Sequence, residues 1–224
     1  MYQNQLLKAT MYFERALHEN PRLAEAKMYV GWTRLLGGDG LGGLQALREA
    51  QALDGRRWEP FYWEGAALEE QQRWSEAATA YQRSLALKPD DLGAQVRYAR
   101  CLVQAGQVQE AITLLETLRP HYPAYSPLYA ELRSAYVKRG DLVSALAIDE
   151  YLLTMNPYRS THWVDTIYLY AMRCDRERVT RLLHRFGQLH PSAAERLLRQ
   201  LRYPKHQASD TSPSSRNMAS ESAL

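Results

Sequence analysis

Cys174, His184 and His190 are the side chains whose types could hold a metal or carry a nucleophile within a short span. Their spacing matches no compact zinc pattern, and six residues separate the two histidines, which puts them on different faces of a helix. The sequence contains no HExxH, no phosphate-cradling glycine loop ending in Lys-Ser/Thr, and no nucleophile elbow. The glycine-rich run GGDGLGG at 37–43 has neither a preceding strand nor the lysine that phosphate binding needs, so it reads as a loose turn between helices. Cys101 and Cys174 lie in no CxxC pair and lie far apart in sequence. They read as two small inert hydrophobes, not a disulfide or a redox pair. The expectation is a chain with no catalytic, cofactor or metal site.

The elements that carry these side chains recur at a fixed interval. With Pro89 as origin and a step of 34, the closing slot reads Pro21, Gly55, Pro89, Pro123, Pro157 and Pro191. The slot twelve earlier reads Ala9, Gly43, Ala77, Ala111, Ala145 and Val179. The slot eight earlier reads Phe13, Leu47, Tyr81, Leu115, Asp149 and Leu183, and the slot twenty-four earlier reads Gly31, Gly65, Ala99, Arg133 and Ile167. No insertion interrupts the phase. A fixed period of this length marks a stacked repeat array. Small residues let two helices approach, and large residues four positions on share their face and fill the space beside them. Proline ends each unit because it cannot sit inside a helix yet suits the start of the next element. Turn residues at 37–40, 105–107 and 138–141 fall between the two helices of a unit.

The unit that carries Gly65, Leu68, Trp74, Ala77, Tyr81 and Pro89 resembles the tetratricopeptide repeat, and the resemblance spans about residues 1–191. It implies an all-α solenoid of antiparallel helix hairpins wound as a right-handed superhelix. Residues 1–23 are expected to form the second helix of an incomplete first repeat. Five full repeats are expected over 24–191, starting at Ala24, Trp58, Leu92, Ser126 and Ser160. A capping helix over 192–203 would lay Leu197, Leu198 and Leu201 on the last hairpin and turn Arg196, Arg199 and Arg202 to water. The Ser-rich segment 204–224 is expected to be disordered.

In the resemblance, first helices line a concave groove. Its expected lining includes Met28, Trp32 and Leu35, then Tyr62, Ala66 and Glu69, then Val96, Arg100 and Val103, then Ala130, Ser134 and Val137, and finally Val164, Tyr168 and Ala171. The expected contact residues are Met28, Trp32, Leu35, Tyr62, Glu69, Arg100 and Tyr168. They would hold a protein or peptide segment with aromatic anchors and charge to set register. Repeats of this family that grip chaperone tails hold a carboxylate with Lys and Asn. The matching slots here are Met28, Trp32 and Trp63, which excludes that clamp.

Formal charge is +3 over 224 residues, with 46% hydrophobic residues, which suits a globular chain and gives no general pull toward nucleic acid. Glu59, Glu64, Glu69 and Glu70 cluster in one first helix, and Arg176, Arg178, Arg181, Arg185, Arg196, Arg199 and Arg202 cluster near the end. Both read first as solvated outer faces. The arginines also allow polyanion docking, with nucleic acid disfavoured because no aromatic–basic interleaving is evident on one face. No run approaches the roughly 20 apolar residues that span a bilayer, and residues 1–21 lack the pattern of a secretory signal. The expectation is a cytoplasmic chain, or a periplasmic or membrane-associated one if a segment precedes Met1. Its function would be that of a scaffold or adaptor, with bacterial envelope, secretion or assembly complexes as the setting. The contrasting expectation is a regulatory or substrate-docking portion of a larger enzyme, such as a glycosyltransferase or secretion ATPase.

Overall fold

The computed structural model describes residues 2–202, and the Ser-rich segment expected to be disordered lies outside them. The described residues are helical throughout, with no strand. They divide into two compact units, Met1–Met155 and Asn156–Leu224. The first unit holds α1 (Tyr2–Glu19), α2 (Ala24–Leu36), α3 (Gly40–Leu53), α4 (Glu59–Glu70), α5 (Trp74–Leu87), α6 (Leu92–Gln104), α7 (Val108–Leu118), α8 (Ser126–Arg139) and α9 (Leu142–Met155). The second holds α10 (Ser160–Met172), α11 (Arg176–Leu189) and α12 (Pro191–Arg202). Each helix packs on the next within its unit, and α2 also touches α4, as α6 touches α8. This is the hairpin stack that the repeat implies.

The 34-residue phase is written into the backbone as well as the side chains. Among the described residues, five take a left-handed conformation: Gly38, Gln72, Gly106, Gly140 and Cys174, at φ of 88°, 58°, 92°, 83° and 57°. Each ends a first helix, and the amide of the residue after it donates back to a carbonyl five residues earlier: Asp39 to Arg34, Arg73 to Leu68, Gln107 to Leu102, Asp141 to Tyr136 and Asp175 to Tyr170. That is the Schellman termination, which satisfies carbonyls a helix end would otherwise leave unpaired. The residue that follows opens the second helix. Where it is aspartate, its carboxylate caps the new helix, accepting from the amides of Gly42, Ser144 and Arg178 at 2.9, 3.0 and 3.1 Å. The bonds from Ser144 and Arg139 hold the Asp141 carboxyl down at about 2. Its contribution is therefore present above the ordinary carboxylate range and lost as pH falls toward that value.

Gln72 and Cys174 occupy slots that suit glycine, since a Cβ strains the left-handed region. Gln72→Gly is expected to raise stability by about 0.5–1 kcal/mol, read as an upward shift in the denaturation midpoint at constant slope. A fall in the midpoint would show that the Gln72 side chain contributes more than its backbone costs.

Inside each hairpin, the slot twenty-four before the closing residue meets the slot eight before it. A Cβ on Gly31 would stand 2.8 Å from Leu47 Cγ, and one on Gly65 would stand 3.0 Å from the Tyr81 ring. Small against large is the rule, and Leu47 and Tyr81 are fully buried. Arg133 and Asp149, which break the sequence pattern, turn out to fill the same two slots of one hairpin and to bond each other. Arg133 Nε lies 2.7 Å from Asp149 Oδ1, and the Asp149 side chain is only 1% exposed. An ion pair here replaces the small–large contact.

At the start of the chain α1 packs on α2, and Phe13 stacks on Tyr29 with ring centroids 4.8 Å apart. In the second unit α12 packs on α11, with Ala194 and Leu197 buried, while Arg196 and Arg199 are exposed. The Leu201 and Arg202 side chains, expected in the same helix, lie outside the described ones.

Candidate partner-binding face

The first helices α2, α4, α6 and α8 of the first unit present successive rows of side chains, because positions 34 apart in sequence recur on neighbouring helices. One row, Tyr29, Trp63, Arg97 and Glu131, changes from aromatic to charged along the stack. The next, Trp32, Ala66, Arg100 and Ser134, carries its aromatic at the same end and one cation two repeats on.

The aromatic end is a connected tier. Tyr29, already stacked on Phe13, lies 6.0 Å from Trp63, and Trp63 stacks on Trp32 at 5.4 Å with an interplanar angle of 22°. Trp32 remains 37% exposed, a large aromatic surface held in place by a neighbour and open to solvent. Beneath it, Met28 is 1% exposed and belongs to a core cluster with Leu47 and Ala50, against which Leu35 and Trp63 pack. Met28 is therefore closed to a partner, contrary to expectation: its helix turns it into the α2–α3 contact. Leu35 is half-buried there, so only part of it can be reached. Tyr62 is half-buried between Trp58 and Tyr81, at 6.0 and 5.6 Å.

The charged end is a lattice that crosses three helices. Arg100 donates through Nε and Nη2 to Glu131 Oε1 at 2.8 and 2.6 Å, and through Nη1 to Glu69 Oε1 at 3.0 Å. Arg97 Nη1 reaches the other oxygen of Glu69 at 3.1 Å, and the Tyr81 hydroxyl donates to it at 2.9 Å. The carboxylates lie deep, at 10% and 11% side-chain exposure, and the Arg100 guanidinium lies above them at 43%. Hydrogen bonds to Glu131 raise Arg100 above its usual range, fixing it as a cation. Burial pushes the Tyr81 phenol far up, so it stays a donor. Arg97 also sits 5.9 Å above the Tyr62 ring.

The structure thus brings Glu69 and Arg100 together, sets Trp32 and Tyr62 on the same run of first helices, and buries Met28. Tyr168 belongs to the second unit, where it is 39% exposed and its hydroxyl lies 3.3 Å from Gln200 Oε1. Sequence reasoning did not single out Arg97, Glu131 or Tyr29 as parts of this face. The signal was present: Glu69, Arg100 and Glu131 are 31 apart, one repeat less three residues, which is a diagonal across stacked helices.

The acidic cluster of α4 is not a solvated face. Glu64 is 8% exposed and accepts from Arg48 Nε at 2.8 Å and Gln51 Nε2 at 2.7 Å. With Glu69 in the lattice, two of its four carboxylates tie neighbouring helices together. The two cysteines differ as well. Cys101 is buried, which pushes its thiol up to about 12, whereas Cys174 is exposed. A thiol reagent is expected to modify Cys174 in the folded protein and Cys101 only after denaturant is added. Mass spectrometry of timed samples reads both, and early labelling of Cys101 would contradict the packing around it. Among the described residues, no three His, Cys, Asp or Glu side chains gather where they could hold a metal ion. No described helix is long and apolar enough to cross a membrane.

A family model described as tetratricopeptide repeat matches residues 68–136, from the end of α4 into α8. No curated protein matches the chain. Among solved structures, residues 41 to the end of MamA from Desulfovibrio magneticus RS-1 superimpose with a TM-score of 0.68 at 21% identity, covering 75% of this chain and 96% of that one. YrrB, described as a TPR protein with an unusual peptide-binding site, gives 0.67 at 16% identity over 84% and 97%. A tetratricopeptide repeat protein from Parabacteroides merdae ATCC 43184 gives 0.60 at 16% identity over 90% and 80%. Helix pairs in strict 34-residue phase, the repeat model seated on the central hairpins, and solved repeat structures that superimpose on three quarters or more of its length give this chain the fold of a tetratricopeptide repeat protein.

Proposed function

We propose that the chain is a protein-interaction scaffold, and that the first-helix face of its first unit is a groove that captures a segment of a partner without chemistry. The observation that carries this reading is the Trp32–Trp63 stack, with Trp32 left 37% exposed. A rigid, partly open aromatic beside a fixed polar lattice supplies the anchor and the register that peptide capture uses. The lattice consumes its own charges, Glu69 and Glu131 against Arg97 and Arg100, so the anchor contributes affinity and the lattice contributes orientation. The peptide-binding site ascribed to YrrB supports the same kind of use here. A bacterial envelope, secretion or assembly complex is the proposed setting, and docking within a larger enzyme is the second reading of the same face.

The test is selection of binding segments from a displayed peptide library, followed by titration of the recovered peptides against variants. Trp32→Ala is expected to weaken binding by about thirtyfold, the equivalent of a hot-spot loss near 2 kcal/mol. Leu41→Ala, at an 81% exposed side chain on the second helix α3, is expected to leave it unchanged. Peptides that bind the Trp32→Ala protein as tightly as the parent would show that the contact lies elsewhere.

A further inference from the structure

The second unit differs from the first in charge. Residues 156–202 carry nine arginines and no lysine against four carboxylates, a net +5, whereas residues 1–155 carry 17 basic against 19 acidic residues, a net −2. Within this excess, Arg178, Arg181 and Arg185 lie at i, i+3 and i+7 of α11, a single stripe about 10 Å long. Two of the three are oriented by aromatic rings of α10. Arg178 sits 5.1 Å above the Tyr170 ring and donates to its hydroxyl at 2.9 Å, and Arg185 sits 5.6 Å above Trp163. A guanidinium held over a ring by this attraction loses less freedom when its planar fork of N–H donors meets a carboxylate or phosphate. Arg181, between them, pairs with Glu177 at 3.4 Å, where both side chains are largely exposed. A pair of that kind is worth little and exchanges readily for a better partner.

We propose that this stripe is a second docking surface, separate from the first-helix face, and that its occupant is an acidic protein segment presenting carboxylates at about one helical turn's spacing. Charge complementarity selects an anion, and the aromatic supports select among anions. Trp163 and Tyr170 are 2% and 3% exposed beneath their arginines, so no nucleobase can stack on them, and stacking is what single-stranded nucleic acid binding requires. The apolar sides of α11 and α12 are used inside the unit, where Phe186, Ala194 and Leu197 are buried, so neither helix has that side free to enter a headgroup layer. Arg181 and Arg185, one turn apart, match carboxylates of similar spacing through paired N–H···O bonds, while Arg178, bonded to the Tyr170 hydroxyl and paired with Asp175 at 3.4 Å, adds positive charge beside them.

The test uses the full chain and a labelled helical peptide of about 20 residues with glutamates at i, i+4 and i+7 along one face, with a scrambled peptide of equal composition as control. Binding measured by fluorescence anisotropy at about 50 mM salt is expected to weaken at least about tenfold for Arg181→Glu combined with Arg185→Glu, and to fall steeply as salt is raised. Arg185→Lys, which keeps the charge and loses the fork, is expected to fall between the two. Circular dichroism confirms that each variant is folded. Four results would overturn the proposal: equal binding by the charge-reversed variant, equal binding of the scrambled peptide, tighter binding of single-stranded DNA or phosphatidylserine vesicles than of the peptide, or salt-sensitive self-association that the same variant abolishes, which would give the stripe to a second copy.

Discussion

Arg133→Met is expected to destabilise the first unit by roughly 3–5 kcal/mol, the range for removing one partner of a buried ion pair. The Asp149 side chain is 1% exposed, and Arg133 reaches its two oxygens at 2.7 and 2.9 Å. Without the guanidinium, a carboxylate remains deep in the α8–α9 contact with the cost of its burial uncompensated. For a chain of this size the loss corresponds to a fall of about 10 °C in melting temperature. Hydrogen exchange should show it first in α8 and α9, because repeat arrays lose stability locally. The pair of slots explains the rescue. In the three hairpins before it they hold glycine or alanine against leucine or tyrosine, so Arg133→Ala combined with Asp149→Leu restores the usual contact. The double variant is expected to equal or exceed the parent in stability. A double variant as unstable as the single one would mean that the arginine serves something other than its partner in the hairpin.

The second large effect is expected at Gly43. A Cβ there would stand 2.6 Å from Leu35 Cγ and 2.9 Å from the Gly31 carbonyl oxygen, and a Cβ on Gly31 would stand 3.0 Å from the Gly43 oxygen. The two glycines let the α2 and α3 backbones touch. Leu35 could move aside, but a helix carbonyl cannot. Gly43→Val is therefore expected to cost about 2–3 kcal/mol through overpacking, against any gain in helix propensity. Gly187 supplies the control. It too lies inside a helix, but its nearest neighbour would be Ala194 Cβ at an ordinary 3.9 Å. Gly187→Ala is expected to stabilise by up to about 1 kcal/mol, since only propensity changes. Chemical denaturation of the two variants side by side separates the effects, and equal shifts would show that close backbone approach does not govern α2–α3.

The run GGDGLGG illustrates how far local composition reaches. It marked a turn correctly at Gly38, where φ is 88°, and Asp39 caps the helix that follows. The run reads as a loose turn with Gly43 in the small slot of the repeat, and Gly43 is one of the tightest points of the hairpin, because a missing side chain permits flexibility in a loop and close contact in a helix.

The sequence by itself determined the helix pairs, their phase, the turn positions and the alternation of small and large residues. These follow from rules that act within one helix or between neighbours at a fixed interval, so one repeat read against the next reveals them. Only the tertiary structure decided which charged residues are spent on holding helices together. Arg133 and Asp149 look like two unrelated lapses from the pattern, 16 residues apart, until the hairpin closes and they prove to be one substitution. Glu69 and Arg100 stood in the sequence as candidate partner contacts, and the fold bonds them to each other. Met28 was expected beside them on the same face, yet it is turned into the core. The physical reason is that exposure and pairing depend on which helix lies opposite, and a periodic pattern fixes the neighbours of a position without fixing the direction its side chain takes among them.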